Sequence, residues 1–109
     1  MGEKITLTAS DGHELDAYIS VPSRPSRAAI IVIQEIFGVN EHIKNIVNNF
    51  AVRGYASIAP AMFDRAEKNV SLSYSNEDIK IGRSFIDRIN WDETPLDIRA
   101  AASQMRDYG

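Results

Sequence analysis

Apolar and polar residues alternate along the first segment of the chain, which is the pattern of a β-hairpin. Ile5 and Leu7 alternate with threonines, and the pair Asp11-Gly12 predicts a two-residue turn that tolerates positive φ. The return segment keeps the period of two, so we expect one face of this sheet to be buried and the other to be wet. The apolar positions of the return strand are Leu15, Ala17, Ile19 and Val21, and the polar ones are Asp16, Tyr18 and Ser20.

The next pattern predicts a strand, a helix and a second strand. The run from Ala28 to Ile33 is apolar on both faces, as in a strand buried inside a parallel sheet. Asn40 is a good N-cap, and the amphipathic spacing after it predicts a helix that ends at Gly54. The segment Tyr55 to Ala59 then predicts another buried strand. Such βαβ units are right-handed and their two strands are parallel.

Two more helices are predicted after a polar, irregular stretch. Helix signals return at Asn76, and Thr94 followed by Pro95 is typical of a cap and a first-turn proline. The last helix continues towards Asp107, with Gly109 as a candidate C-cap.

This order of elements predicts an incomplete sheet. Only two parallel strands are present, yet a strand that is apolar on both faces requires neighbours on both sides. We therefore expect the 109 residues to form the N-terminal portion of a single α/β domain whose remainder lies outside this sequence. Such a chain is expected to be marginally stable, and the unpaired edge of its sheet favours self-association.

Composition excludes several classes of function. The net charge is −3 with both signs interspersed, which argues against a nucleic-acid partner. The chain has no cysteine, so these residues form no disulfide and no thiolate metal site. The sequence also contains no glycine-rich phosphate loop and no ligand-spaced cluster, so neither a cofactor nor a metal is expected. The start lacks a signal peptide and the longest apolar run is too short to cross a membrane, which predicts a cytoplasmic protein.

Glu35 is the first candidate for chemistry. It follows the apolar run directly, at the carboxyl end of the predicted strand, where open α/β sheets bind their ligands. A carboxylate flanked there by apolar residues would have its charged form disfavoured by desolvation, and such groups often perform proton transfer or electrostatic stabilisation. The other interpretation is a structural Glu35 that reaches solvent or caps the following helix.

Three segments resemble the start of the dienelactone hydrolase, or carboxymethylenebutenolidase, family. They are SDGH from Ser10 to His13, IIVIQEIFGVN from Ile30 to Asn40, and RGYASIAPAMF from Arg53 to Phe63. The resemblance implies a partial α/β-hydrolase fold, with an N-terminal β-hairpin, a βαβ unit and two further helices. It also implies a small ester or lactone as substrate, an acyl-enzyme intermediate and no cofactor.

The same resemblance assigns roles to individual residues. Glu35 would lie beside a nucleophilic cysteine and convert it to the thiolate, and the backbone N–H of Ile36 would be an oxyanion-hole donor. Phe37 would line the substrate pocket, although it could equally be a packing aromatic. Lys80 and Arg83 are the candidates for holding a substrate carboxylate, and both are also explained as solvated helix charges.

The sequence departs from the family where the nucleophile is concerned. It contains no cysteine, and the segment Gly82 to Ile86 fails the Gly-x-Ser-x-Gly pattern at its last position. His13 follows a predicted turn and His42 lies in the first turn of a predicted helix, so neither resembles a triad base. We therefore expect the 109 residues alone to be inactive and a hydrolase to require further sequence. The alternatives are a truncated, non-catalytic remnant and a small α/β binding module.

Overall fold

The chain forms a four-stranded mixed sheet with helices on both faces. The computed structural model describes residues 2–108, so the predicted C-cap at Gly109 lies outside the described residues. The sheet has the order β1-β2-β4-β3, in which only β3 and β4 are parallel, as predicted for the βαβ unit. The elements are β1 (Glu3–Thr8), β2 (Glu14–Ser20), β3 (Ala29–Ile31), α1 (Glu41–Val52), β4 (Ala56–Pro60), α2 (Asn76–Ile86) and α3 (Thr94–Met105), followed by a 3₁₀ turn (Arg106–Tyr108).

The hairpin turn between β1 and β2 is longer than predicted. The Ala9 N–H donates to the His13 carbonyl at 2.8 Å, and the Gly12 N–H donates to the Ala9 carbonyl at 2.9 Å. Ser10, Asp11 and Gly12 therefore form a three-residue loop, and the predicted two-residue turn is wrong. Gly12 has a φ of 89°, as expected for the left-handed position that closes such a loop.

The two faces of the sheet are covered by different helices. Successive residues of β4 point to opposite faces, so that Ile58 packs in the cluster beneath α3 and Ala59 in the cluster beneath α1. Tyr18 of β2 also packs against the α1 cluster, and its hydroxyl lies 3.1 Å from the Asn48 Oδ1 on α1. The prediction that this face of β2 is wet is therefore wrong at Tyr18, because α1 lies across it.

The burial predicted for β4 is confirmed, whereas the burial predicted for β3 is wrong. The run Ala28 to Ile33 was expected to be a fully buried strand, but only Ala29–Ile31 is strand and all three residues are half-buried. Every residue of β4, in contrast, is buried. The reason is position, because β4 lies between β2 and β3, whereas β3 pairs only with β4 among the described residues. β3 therefore forms an open edge of the sheet.

The predicted helix starts are confirmed at α1 and shifted by one residue at α3. The Asn40 Oδ1 accepts a hydrogen bond from the Ile43 N–H at 3.2 Å, and α1 is followed by Gly54 with a φ of 96°. Thr94, predicted to be the cap of α3, is its first helical residue, and the capping position falls on Glu93, which makes no side-chain capping bond. None of the helices formed by residues 2–108 is both long and apolar enough to cross a membrane.

Candidate active site

The loops that follow β3 and β4 meet at the carboxyl ends of these two parallel strands. Gln34, in the first loop, connects them through its side-chain amide. The Gln34 Oε1 accepts a hydrogen bond from the Met62 N–H at 2.8 Å, while the Nε2 lies 3.1 Å from the Glu35 carbonyl oxygen and donates to it. The orientation of this amide follows from its partners, because a backbone N–H only donates and a carbonyl only accepts.

The segment Glu35 to Gly38 is a tight turn. The Gly38 N–H donates to the Glu35 carbonyl at 3.2 Å, and the Leu72 N–H donates to the Phe37 carbonyl at 2.8 Å. Gly38 has a φ of 78°, and a Cβ at this position would lie 2.1 Å from the Val70 carbonyl oxygen. Only glycine therefore fits, because any side chain would collide with the backbone of the loop after β4.

Helix α2 contacts the backbone of this turn through a glycine. A Cβ added to Gly82 would lie 2.3 Å from the Ile36 carbonyl oxygen and 3.1 Å from the carbonyl carbon. Gly82 is buried, so the absence of a side chain is what allows α2 to approach the turn. Gln34 and Gly82 thus contact the two peptide units that flank Ile36.

The structure brings Glu35, Ile36 and Phe37 together at this end of the sheet. Glu35 is exposed, so the prediction that its carboxylate is desolvated is wrong in the described structure. The reason is that the preceding strand, β3, lies at the edge of the sheet and not in its centre. Ile36 and Phe37 are half-buried. The Phe37 ring packs edge-on against Tyr74, with centroids 4.4 Å apart and an interplanar angle of 72°. Phe37 therefore has a packing partner, as its structural interpretation required.

The two candidate cations differ in their position on α2. Lys80 and Arg83 are both exposed. At about 100° per residue, Lys80 lies about 200° from Gly82 around the helix axis and Arg83 about 100°. Because Gly82 faces the turn, this geometry directs Lys80 away from it and leaves Arg83 as the better-placed of the two.

An apolar cleft of about 230 Å³ lies beside the turn, between the loops that follow β3 and β4 and the chain from the end of α2 into α3. Ile33 is 51% exposed and Trp91 is 59% exposed here, which is unusual for large apolar side chains. Trp91 was not predictable from sequence patterns, because it follows α2 in an irregular segment without periodicity. The lining residues are Ile33, Gln34, Glu35, Ile36, Met62, Phe63, Ile86, Ile89, Trp91, Thr94 and Ile98.

Arg65 forms a charged cluster that sequence reasoning also missed. Its guanidinium donates to Asp97 from Nε at 3.0 Å and from Nη2 at 2.8 Å, and to Asp11 from Nη1 at 2.8 Å. Glu93 lies 3.4 Å from Nη1. The hydrogen bonds to Asp97 and then to Asp11 raise the pKa of Arg65, and the hydrogen bond from Arg65 lowers the pKa of Asp11. This cluster joins the hairpin loop to α3 and has a structural function.

The two histidines belong to other elements than the Glu35 turn. His13 belongs to the hairpin loop and is half-buried, and His42 is exposed in the first turn of α1. Among residues 2–108, no group of three or more His, Asp or Glu side chains is arranged to hold a metal ion.

The chain is similar in sequence to carboxymethylenebutenolidases. The model of the dienelactone hydrolase family matches residues 15–107. A carboxymethylenebutenolidase of Pseudomonas putida is 31% identical over 75 residues, and a candidate carboxymethylenebutenolidase of Yersinia pestis is 42% identical over 74 residues. These matches cover 69% and 66% of this chain but only 32% and 28% of the two relatives.

The fold is found in solved structures of the same kind. The crystal structure of a candidate dienelactone hydrolase from Klebsiella pneumoniae superimposes with a TM-score of 0.74 at 25% identity, covering the whole of this chain and 45% of that one. A dienelactone-hydrolase-like phosphotriesterase from metagenomic libraries superimposes with a TM-score of 0.62 at 19% identity, which shows the shared fold alone. The four strands and three helices are thus part of an α/β-hydrolase fold, and the resemblance found in the sequence is confirmed. The chain belongs to the dienelactone hydrolase family.

Proposed function

We propose that this chain supplies the N-terminal part of a hydrolase that cleaves small carboxylic esters or lactones. In this proposal the Glu35 carboxylate takes the proton of a nucleophilic thiol or hydroxyl group, and the Ile36 N–H donates to the oxyanion that forms when the nucleophile attacks the ester carbonyl. Phe37 borders the substrate, and Arg83, or else Lys80, binds a substrate carboxylate. The nucleophile and the remaining triad residues come from sequence outside these 109 residues.

The observation that carries the proposal is the rigid Glu35–Ile36 turn at the edge of an apolar cleft. Three contacts hold this turn. They are the hydrogen bond of the Gln34 side chain to Met62 in the loop after β4, the bond from the Gly38 N–H to the Glu35 carbonyl, and the contact of Gly82 on α2 with Ile36. A positioned backbone donor next to a carboxylate, beside an apolar cavity, is what acyl transfer requires.

The topology explains why a nucleophile would arrive at this place. α1 and α3 lie on opposite faces of the sheet, and strand connections in parallel sheets are right-handed in about 98% of cases. The connection through α1 runs from β3 to its neighbour β4. A right-handed connection through α3, on the other face of the sheet, must run across the sheet in the opposite direction, from β4 towards β3 and beyond it. A further parallel strand after α3 would therefore pair with the open edge of β3. Its carboxyl end would lie beside Glu35.

The full chain is tested by extending the reading frame beyond codon 109 and assaying its product on p-nitrophenyl acetate and on a dienelactone. The Glu35→Gln variant should lower kcat/KM by about 10²–10⁴-fold, the range typical of a proton-transfer residue. Glu77→Gln, at an exposed position in the first turn of α2, serves as the matched control and should stay within twofold. An inactive wild-type product, or a reading frame that ends at Gly109, would overturn the hydrolase proposal.

The second candidate is a non-catalytic binding module or a truncated remnant. It is favoured by one observation, namely that the 109 residues contain neither a cysteine nor a Gly-x-Ser-x-Gly segment. The apolar cleft would then bind a small ester without cleaving it. A cytoplasmic location and self-association through the β3 edge belong to both candidates, since an unpaired strand edge is a template for pairing.

A further inference from the structure

We infer that Gln34 is a positioning residue, which orients the peptide between Glu35 and Ile36 and thereby directs the Ile36 N–H at the site of the oxyanion. This inference rests on the proposed function of Ile36. Gln34 does not reach substrate in this assignment; it acts through the backbone of its neighbours.

One peptide unit connects the Glu35 carbonyl to the Ile36 N–H. In a planar trans peptide the C=O and N–H groups point in opposite directions, so fixing the Glu35 carbonyl also fixes the Ile36 N–H. The Glu35 oxygen accepts two hydrogen bonds, from the Gln34 Nε2 at 3.1 Å and from the Gly38 N–H at 3.2 Å. Both lone pairs of this oxygen are therefore used, and rotation of the peptide would break both bonds.

The Ile36 N–H is left available. Among residues 2–108 it donates to no acceptor, while the carbonyls of Glu35 and Phe37 on either side of it are hydrogen-bonded. A donor that is fixed in direction but without a partner can bind a ligand oxygen without first breaking an internal bond. Preorganisation of this kind is what makes oxyanion donors effective.

The oxygen of the Gln34 side-chain amide is bonded to a buried part of the fold. Its Oε1 accepts from the Met62 N–H at 2.8 Å, and Met62 is buried just after the central strand β4. The Gln34 side chain thus fixes the turn after the edge strand β3 relative to the loop after β4. β3 has only three residues and one partner among the described residues, so the turn depends on further contacts, and Gln34 makes the one that connects the Glu35–Ile36 peptide to β4.

Two substitutions separate the hydrogen bonds from the shape of the side chain. Gln34→Met has a similar length and volume but lacks both hydrogen bonds. Gln34→Glu keeps the acceptor for the Met62 N–H and loses the donor to the Glu35 carbonyl. Gln104→Met, at an exposed position on α3, is the matched control because it makes the same chemical change away from the turn.

The first test measures the backbone directly. Amide ¹⁵N–¹H residual dipolar couplings of the 109-residue chain report the direction of the Ile36 N–H, and hydrogen exchange reports protection of the Met62 N–H. We expect Gln34→Met to change the Ile36 coupling and to accelerate Met62 exchange at least tenfold, and Gln34→Glu to change only the former. Couplings in Gln34→Met equal to those of the wild type and of Gln104→Met would overturn the inference, whatever the activity of the protein.

The second test uses the extended, active product on p-nitrophenyl acetate. An oxyanion donor contributes about 10²–10³-fold to rate, so its misalignment should lower kcat by about tenfold or more and leave KM within twofold. If Gln34 only stabilised the fold, its replacement would lower the fraction of folded, active enzyme but would leave the residual dipolar coupling of the Ile36 N–H unchanged. Wild-type inactivity would overturn the proposed function while the dipolar couplings still decide the role of Gln34. An active wild type with an unchanged kcat in Gln34→Met would overturn the positioning role alone.

Discussion

Gly82 on α2 lies against the carbonyl group of Ile36, so closely that a Cβ at this position would be 2.3 Å from the Ile36 oxygen. A helix and a turn separated by more than 40 residues in sequence are therefore in backbone contact at the candidate active site. The contact makes Gly82 part of the support of the turn, although it bears no side chain.

The first prediction is that Gly82→Ala destabilises the protein. Replacing a glycine inside a helix by alanine gains about 1 kcal/mol in helix propensity, but overpacking against backbone costs about 1–3 kcal/mol. The difference is a net loss of up to about 2 kcal/mol, and we expect the upper end because the carbonyl of Ile36 cannot move away as a flexible side chain could. Urea unfolding measures it, with the exposed Ser84→Ala on the same helix as control. A stabilised Gly82→Ala variant would show that α2 does not press on the turn.

The second prediction concerns the Arg65 cluster. Asp97 is 1% exposed and receives two hydrogen bonds from Arg65, so Arg65→Met leaves a buried carboxylate without its partner. Removing one partner of a buried ion pair typically costs about 3–5 kcal/mol. Arg99→Met, at an exposed position on α3, should change stability by less than about 0.5 kcal/mol.

A double variant distinguishes the loss of the pair from the loss of the arginine stem. Combining Arg65→Met with Asp97→Leu removes both charges, and replacing a buried pair by apolar residues is often close to neutral. We expect the double variant to recover most of the stability lost in Arg65→Met, as measured by urea unfolding. A double variant that is less stable than Arg65→Met would contradict this account of the cluster.

The third prediction is a pH dependence that arises from Asp64. Burial raises the pKa of the Asp64 carboxyl above its ordinary value of 3.8, opposed by hydrogen bonding from the Asp16 N–H and by the charge of Lys68. Because the folded state holds this proton more tightly than the unfolded state, Asp64 costs stability as the pH rises from about 4 through its folded pKa. Asp64→Asn removes this loss and keeps an oxygen that can accept from Asp16, whose N–H lies 2.7 Å away.

Urea midpoints of wild type and Asp64→Asn between pH 3 and pH 7 check this sign. The stability of the variant relative to wild type should increase with pH and then level off. Asp11, whose pKa is lowered mainly by its hydrogen bond from Arg65, works in the opposite direction, since its contribution is lost as the pH falls below about 4. A relative stability of Asp64→Asn that declines as the pH rises would show that Asp64 is ionised without cost in the folded chain.

The fourth prediction is that Asn40→Ala loosens the start of α1. The side chain of Asn40 accepts from the Ile43 N–H at 3.2 Å and donates to the Leu72 carbonyl at 3.3 Å, so it caps the helix and ties it to the loop after β4. Loss of a cap costs about 1 kcal/mol, and the unpaired Leu72 carbonyl adds to this, giving about 2 kcal/mol in urea unfolding. Asn40→Asp keeps the cap but not the donor, and we expect it to be intermediate. Equal stability of the Ala and Asp variants would show that the cap contributes nothing.

The order of elements was predictable from sequence because it depends on local patterns. The alternation around Ile5 and Leu7 gave the hairpin, and Asn40 and Gly54 gave both ends of α1. The burial of β4 was also predicted correctly, but that of β3 was not. An apolar run such as Ala28 to Ile33 reports the environment of the strand in a completed sheet, whereas the burial found here depends on how many neighbours the described chain provides.

The site was predictable only where a family motif marked it. The motif marked Glu35, Ile36 and Phe37, of which Glu35 and Ile36 line the cleft, but the groups that hold this turn were not identified. Gln34 forms one of its two hydrogen bonds with Met62, 28 residues away in sequence, and Gly82 contacts Ile36 although more than 40 residues separate them. No periodicity in the sequence reveals either pair. Arg65 bonds residues 54 and 32 positions away in sequence, which single-sequence patterns do not reveal.

The same Arg65 side chain links the order of synthesis to the order of folding. Its partners are Asp11 in the hairpin loop and Asp97 in α3, so the guanidinium is fully bonded only after residue 97 has left the ribosome. Until then the hairpin can form by local contacts, but its loop is not fixed to the rest of the sheet. We therefore expect the hairpin and α3 to become protected from hydrogen exchange in a single late step, and nascent chains that end before residue 97 to remain sensitive to proteases.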